Sequence, residues 1–283
     1  MNIAVVGVGL IGGSMMLKLK EKQAVTTVFG IDRNENHLKT ALSRGIIDQC
    51  ANLEEGVKKA DLILIATPVD TTQTLLPKVL DLVDSKKTVM DVGSTKTGIT
   101  TQVEYHPMRS RYVAFHPMWG TENSGPQAAS NESFSGRAAV ICDPEKSAKD
   151  ALKTVLEIIE TLEMYPVYMN ADAHDLHTAY ISHISHITSY ALANTVLEKE
   201  KEEDTIFQLA SSGFSSTVRL AKSHPDMWVP IFKQNKENVL DVLNEHLAQL
   251  RKFKSALEKE NWILLEELIT NANRIRNLLD KKS

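Results

Sequence analysis

Near the start of the chain, Gly7-Val8-Gly9-Leu10-Ile11-Gly12 stands directly behind the apolar run Ile3-Ala4-Val5-Val6. This spacing constrains the fold more than any other feature of the sequence. Glycine at the first position permits a tight turn out of a strand. At the second it lets a pyrophosphate reach the backbone, and at the third it lets a helix pack closely on the strand before it. The helix opening there presents unpaired N–H groups to phosphate. Asp32 closes the next β-branched run, about 20 residues further on, where a carboxylate accepts from ribose hydroxyls and repels a 2′-phosphate. The pattern predicts a dinucleotide site at Gly7, Val8, Gly9, Leu10, Ile11, Gly12 and Asp32, with NAD favoured. Arg33 can offset the repulsion and leaves NADP open.

The rest of the first half agrees with that start. Short β-branched runs recur at IAVVGV (3–8), TVFGID (27–32), LILIAT (62–67), TVMDVG (88–93), YVAFHP (112–117), AAVICD (138–143) and YPVYM (165–169). They are apolar nearly throughout, as strands of a parallel sheet covered on both faces should be. Helical patterns separate several of them, at 13–22, 35–44, 72–82 and 146–162. The alternation predicts an α/β, Rossmann-type, doubly wound parallel sheet over residues 1–169. After Asn170 the strand pattern stops. Helical periodicity runs through 171–199, 226–258 and 261–280, which predicts an all-α C-terminal domain over 170–283.

Composition narrows the class. A chain of 283 residues with 42% apolar residues and a formal net charge of −4 carries no basic patch for nucleic acid. Its two cysteines, Cys50 and Cys142, are too few for a disulfide scaffold and too isolated for a zinc site. No apolar stretch reaches the roughly 20 residues that span a bilayer. The apolar start lacks the basic region of a signal peptide. A cytoplasmic protein with no membrane and no nucleic-acid partner is expected.

Ligands of open parallel sheets bind beyond the carboxyl ends of the strands. Thr67, Pro68 and Val69 follow the third run, and Gly93 and Ser94 follow the fourth, so these turns should line the nicotinamide side. For Ser94, capping the next helix is an equally good reading. The tripeptide His-Pro-Met occurs twice. His106 lies in a polar connector and reads as a surface histidine. His116 ends the run Tyr112–Phe115, with Pro117 stopping the strand and a polar loop behind it. There it can polarise a substrate group beside the nicotinamide, and an imidazole suits proton transfer near neutral pH.

Five stretches occurring in order carry a family resemblance: GVGLIGGS (7–14), DVGSTK (91–96), HPMWGTENSG (116–125), HDLHTAYISHISH (174–186) and VRLAKSHPDMW (218–228). The chain resembles the prephenate/arogenate dehydrogenases across nearly its whole length. The resemblance implies NAD-dependent oxidative decarboxylation of prephenate to 4-hydroxyphenylpyruvate, or of arogenate to tyrosine. It implies that His116 deprotonates the ring hydroxyl as hydride leaves, and that Ser94 assists. It implies a substrate carboxylate on Arg219, a substrate-side role for His186 and Ser182, and a pocket-closing loop at Thr121 and Glu122. A homodimer through the helical domain is implied as well, consistent with the long apolar stripes there. The stretch before Arg219 departs from the family pattern at Ser215, Ser216 and Val218, which leaves prephenate against arogenate open. Neither an ACT-type segment after Ser283 nor a mutase segment before Met1 is expected.

Two other functions fit part of this reading. A β-hydroxyacid dehydrogenase would use a helix lysine for acid-base work, whereas the candidates here are His116 and Arg219. A non-catalytic NAD-binding sensor would need no such convergence of polar groups. A metal site is not expected: on one straight helix, the pair His174 and His177 points away from the pair His183 and His186.

Overall fold

The computed structural model describes residues 1–132, 134–203 and 205–279. Eight strands form one sheet in the order β3-β2-β1-β4-β5-β6-β7-β8. They are β1 (Asn2–Val6), β2 (Thr27–Ile31), β3 (Gln49–Cys50), β4 (Leu62–Ile65), β5 (Thr88–Asp91), β6 (Tyr112–Pro117), β7 (Ala138–Cys142) and β8 (Tyr165–Met169). Six helices accompany the strands: α1 (Leu10–Glu21), α2 (Glu35–Ser43), α3 (Leu53–Lys59), α4 (Val69–Leu82), α5 (Thr97–Gln102) and α6 (Lys149–Thr161).

Side-chain alternation along the strands builds a layer on each face. Ile3, Val5, Leu62, Leu64, Val113 and Phe115 face the layer holding Met15, Met16 and Leu19 of α1 and Val155 and Ile158 of α6. Ala4, Val6, Ile63, Ile65, Val89 and Ala114 face the other, with Val57 of α3 and Leu76, Val79 and Leu80 of α4. Each such side chain taken fully out of water contributes ~1.5–3 kcal/mol before entropy is counted. Burial on both faces is why the runs read as continuous apolar stretches.

Two features of the sheet differ from the expectation. β6 and β7 pair antiparallel, with His116 opposite Val140, while every other pair is parallel. The link between them is the loop after Pro117, with no crossover helix to bring β7 round in the parallel sense. β3 is the eighth strand. It is a two-residue edge with both residues exposed, so it leaves no apolar signature.

Beyond Asn170 come α7 (Ala171–Thr178), a π-helical turn at Ala179–His183, α8 (Ile184–Glu200), α9 (Ser212–Thr217), α10 (Pro225–Gln234), α11 (Lys236–Glu258), α12 (Trp262–Asn273) and α13 (Ile275–Leu279). The single helix expected over 171–199 is therefore interrupted by a wider turn. The one expected over 226–258 breaks at Asn235, whose side chain is drawn in to bond the backbone carbonyl of Asp175 at 2.7 Å. Compactness divides the chain elsewhere than the change of periodicity does: Met1–Lys236 forms one unit and Glu237–Ser283 a second. The reason is visible in the first unit, where Trp228 and Ile231 of α10 join the core on the α4 face. Residues 280–283, which end the expected helical domain, lie outside the described residues. In the second unit Leu240, Leu247, Leu250, Leu257, Trp262 and Ile269 are exposed. Among the described residues no helix is long and apolar enough to cross a membrane.

Candidate active site

The glycine turn has the shape a pyrophosphate needs. Gly7 adopts φ +94°, and a Cβ there would stand 2.5 Å from the Ala66 carbonyl oxygen. A Cβ on Gly12 would lie 2.5 Å from the Gly7 oxygen and 2.9 Å from Ala66 Cβ. At Gly9 a Cβ would meet nothing within 4 Å, so the backbone there faces open space. Gly9 is also the N-cap of α1 and no side chain caps it, which leaves the helix N–H groups for a phosphate. Asp32 accepts from Val8 N at 3.1 Å and Asn34 N at 2.8 Å, which fixes its carboxylate beside the turn. Arg33 is exposed next to it. Thr67 is tied to Thr72 of α4 through its hydroxyl at 2.9 Å and its carbonyl at 3.0 Å, Pro68 is exposed as the α4 N-cap, and Val69 is buried. Leu10 is buried and Ile11 packs against the core. The cradle thus fits a dinucleotide, and Asp32 is held beside it.

His116 lies past Ala114, whose parallel partner on β5 is Asp91. Ser94 lies three residues beyond Asp91, so it follows the end of β5, while His116 is the last but one residue of the adjacent β6. Ser94 does not cap α5. Lys96 holds the N-cap position, and the free N–H groups of Lys96 and Thr97 donate to Asp175 of α7, at 2.7 and 2.9 Å.

That carboxylate belongs to a chain that the sequence reading missed. Asp175 Oδ1 is 2.8 Å from His174 Nδ1, and His174 Nε2 is 2.8 Å from His116 Nδ1. His174 and Asp175 are buried, while His116 keeps part of its ring accessible. Beneath them, fully buried Lys96 donates from Nζ to Asp91 Oδ2 at 2.5 Å, and Asp91 also accepts from Gly93 N at 2.8 Å and Tyr112 OH at 2.7 Å. Burial holds His116 well below the ordinary imidazole value, and His174, Lys96 and His183 push the same way. His174 is also lowered by burial, against a raising effect from Asp175. Asp175 is lowered despite its burial, because His174 and the two backbone N–H groups favour its anion.

A second cluster adjoins the first. Asn235 Nδ2 is 3.1 Å from His183 Nδ1, and His183 meets Trp228 edge-on at 5.9 Å. His186 stacks on Trp228 with centroids 3.4 Å apart, and its Nδ1 faces the Ser182 carbonyl at 3.1 Å. Burial brings both His183 and His186 to about 4. Arg219, half exposed, donates to Glu122 Oε2 at 2.7 Å. The Glu122 carboxyl is lowered by its own backbone N–H and then by Arg219. Thr121 Oγ1 accepts from Asn123 N at 3.2 Å, which shapes the same loop.

The predicted residues therefore fall into three groups: the glycine turn with Asp32, the strand-end pair His116 and Ser94, and Arg219 with Glu122 near His186 and Ser182. His106 is less idle than a solvated histidine, since Nε2 lies 3.1 Å from Asp81 and Nδ1 accepts from Met108 N at 3.1 Å. An open pocket of about 560 Å³ is lined by Trp119, Thr121, Ser124 and Ser130 but by none of the histidines. No group of three or more His, Cys, Asp or Glu residues suited to a metal ion occurs among the described residues.

Comparison with known proteins agrees with this geometry. Residues 15–165 match the family model of the prephenate dehydrogenase nucleotide-binding domain, and residues 170–271 match that of the prephenate dehydrogenase dimerization domain. A prephenate dehydrogenase of Bacillus subtilis is 31% identical over 263 residues, covering 92% of this chain and 71% of that protein. The structure of an Aquifex aeolicus prephenate dehydrogenase, in complex with hydroxyphenyl propionate and NAD+, is similar at a TM-score of 0.88 and 28% identity, covering 100% of this chain and 98% of that one. A Synechocystis arogenate dehydrogenase is similar at a TM-score of 0.78 and 26% identity, covering 99% and 100%. With both halves of the chain matched by the family's two models, the chain belongs to the prephenate dehydrogenase family.

Proposed function

We propose that the chain is an NAD-dependent prephenate dehydrogenase, converting prephenate to 4-hydroxyphenylpyruvate with loss of CO₂. The observation that carries the reading is His116, partly accessible at the end of β6, with Nδ1 engaged by His174 and Nε2 left over. Bound in the Gly7–Gly12 turn, the nicotinamide cofactor supplies the hydride acceptor. The chain's own residues do the rest. His116 accepts the ring-hydroxyl proton as C4 is oxidised, and Ser94, whose hydroxyl is partly accessible, assists at the same oxygen. Arg219 binds a substrate carboxylate, for which a planar guanidinium is the fitting partner. His186, Ser182, Thr121 and Glu122 bound the substrate's other end. Aromatisation drives the reaction, so binding mainly fixes geometry and the hydroxyl's protonation state.

Asp32, fixed beside the cradle, favours NAD over NADP. The match to a dimerization domain and the exposed apolar residues of α11 and α12 support a homodimer through the helical domain of residues 170–283, with residues 1–169 holding the cofactor. Two unpaired cysteines suit a cytoplasmic setting. Arogenate is the second reading, because Ser215, Ser216 and Val218 flank Arg219. NADH or NADPH formation, followed with prephenate and arogenate against NAD and NADP in all four combinations, tests the assignment. Prephenate with NAD is expected to be the best pair, and His116→Asn is expected to lose ~10³-fold or more in kcat, as for a general base. Absence of turnover with either substrate would overturn the reading.

A further inference from the structure

We propose that His174 and Asp175 are positioning residues for His116: they hold it in the tautomer whose bare Nε2 meets the substrate hydroxyl, and His174 takes up the charge that proton transfer creates. The proposal rests on the reading of function above and deepens it.

The hydrogen-bond directions follow one from another. Asp175 receives the N–H groups of Lys96 and Thr97 and faces His174 Nδ1 at 2.8 Å. Its carboxyl is lowered and therefore ionised at neutral pH, so it only accepts. His174 Nδ1 must then carry hydrogen. His174 is neutral at that pH, so its Nε2 is a lone pair, and His116 Nδ1, 2.8 Å away, must carry the next hydrogen. His116 Nε2 is the atom left bare. Nothing in the chain of contacts allows the reverse assignment without placing a hydrogen against nothing or two hydrogens face to face.

The same row of atoms sets where the charge goes. The titratable groups around His116 are His174 and Asp175 of α7, His183 of the π turn, Asp91 at the end of β5, Lys96 beyond it, Tyr112 of its own strand and Cys142 of β7. Asp91 is occupied by Lys96 and Tyr112, burial pushes the thiol up to about 12, and no carboxylate touches His116 itself. A cation on His116 is thus poorly compensated, whereas one on His174 lies 2.8 Å from Asp175. The hydroxyl O–H bond breaks and an N–H bond forms at His116 Nε2. The Nδ1 hydrogen then passes to His174 Nε2. When the C–C bond to CO₂ breaks, its electron pair completes the aromatic ring and the aryl oxygen reclaims the hydrogen from Nε2. The Nδ1 hydrogen returns, and no proton is gained or lost overall.

Nitrogen-15 NMR of the histidine rings in the full-length protein tests this without substrate. The expected spectrum gives His116 a protonated Nδ1 and a bare Nε2. Asp175→Ala removes the acceptor that keeps the hydrogen on His174 Nδ1 and the charge that would compensate a His174 cation, so the tautomers of both rings are no longer fixed and hydrogen should appear on His116 Nε2. In the serine hydrolase triad a wrong tautomer costs on the order of 10⁴ in kcat. Here a loss of at least ~100-fold in kcat with KM changed less than ~3-fold is expected. His174→Gln keeps an acceptor for His116 Nδ1 but cannot carry a proton. It should retain the wild-type His116 tautomer and lose ~10-fold or more in kcat, and it decides the matter should the Asp175 variant not fold. A wild-type His116 protonated at Nε2 would overturn the proposal. So would full kcat in Asp175→Ala, or full kcat in His174→Gln. Those results leave the assignment of function untouched, which fails only if wild-type protein turns over neither substrate.

Discussion

Arg219 shows how much one side chain is asked to do. It is half exposed, and one arm of its fork already holds Glu122 at 2.7 Å. A planar guanidinium presents further donors in a fixed fork that can grip a substrate carboxylate bidentately, whereas an ammonium offers only single, rotatable donors. Arg219→Lys should therefore raise KM for prephenate ~10–100-fold with kcat changed less than ~3-fold, because the lost bond is made equally in ground and transition states. Steady-state kinetics separate the two constants, and an equal fall in kcat at steady KM would refute the role. The melting temperature should hardly move, since exposed ion pairs contribute little to stability. His116 and Arg219 were both legible in the sequence, one from its place at a strand end and the other from its motif. His174 and Asp175 were not, although both lie inside the stretch HDLHTAYISHISH. Reckoning along a straight helix set the pair His174 and His177 against the pair His183 and His186. The π turn at Ala179–His183 rephases the helix, so that His174, His183 and His186 are all buried and His177 alone is exposed.

The turn from β1 into α1 makes a prediction of its own, because its glycines do different work. A Cβ on Gly12 would press on the Gly7 oxygen at 2.5 Å and on Ala66 Cβ at 2.9 Å, neither of which can yield without moving backbone. Gly12→Ala should destabilise the fold by ~1–3 kcal/mol, as overpacking does. A Cβ on Gly9 meets nothing within 4 Å. Gly9→Ala should therefore melt like the wild type while NAD binding, followed by calorimetry, weakens ~10-fold or more. Equal NAD affinity in Gly9→Ala would show that the open space there is not the pyrophosphate's. This element was legible because strand, turn and helix impose local constraints within a dozen residues. The antiparallel seating of β7 and the break at Asn235 were not, since both are set by distant partners: the course of the loop after Pro117, and the Asp175 carbonyl.

At the scale of the whole molecule, the same histidines link activity to acid stability. His116, His174, His183 and His186 are all held below the ordinary imidazole value, chiefly by burial, with His183 and His186 at about 4. Unfolded, each would titrate near 6.5. Above that value neither state binds the proton and the full stability is present. As pH falls from about 6.5 toward 4 the unfolded chain takes up protons that the folded one refuses, so stability declines by ~1.4 kcal/mol per pH unit for each histidine kept neutral. Asp175 shifts in the opposite sense, but its contribution is lost only below about 4, the ordinary Asp range, and does not mask the effect. Urea unfolding at pH 7.5, 6.5, 5.5 and 5 should therefore give a free energy that falls steeply below 6.5, and a flat profile would refute it. The active base behaves differently over this interval. Neutral His116 persists well below 6.5, so kcat/KM measured within seconds of a jump from pH 7.5 to 5.5 should stay close to its neutral value. Prolonged incubation at pH 5.5 in urea just below the pH 7.5 transition should then remove activity together with the folded fraction, and return to pH 7.5 should restore both. An immediate drop in kcat/KM at pH 5.5, with the fold still intact, would mean that His116 takes its proton near the ordinary value and that the buried relay does not hold it neutral.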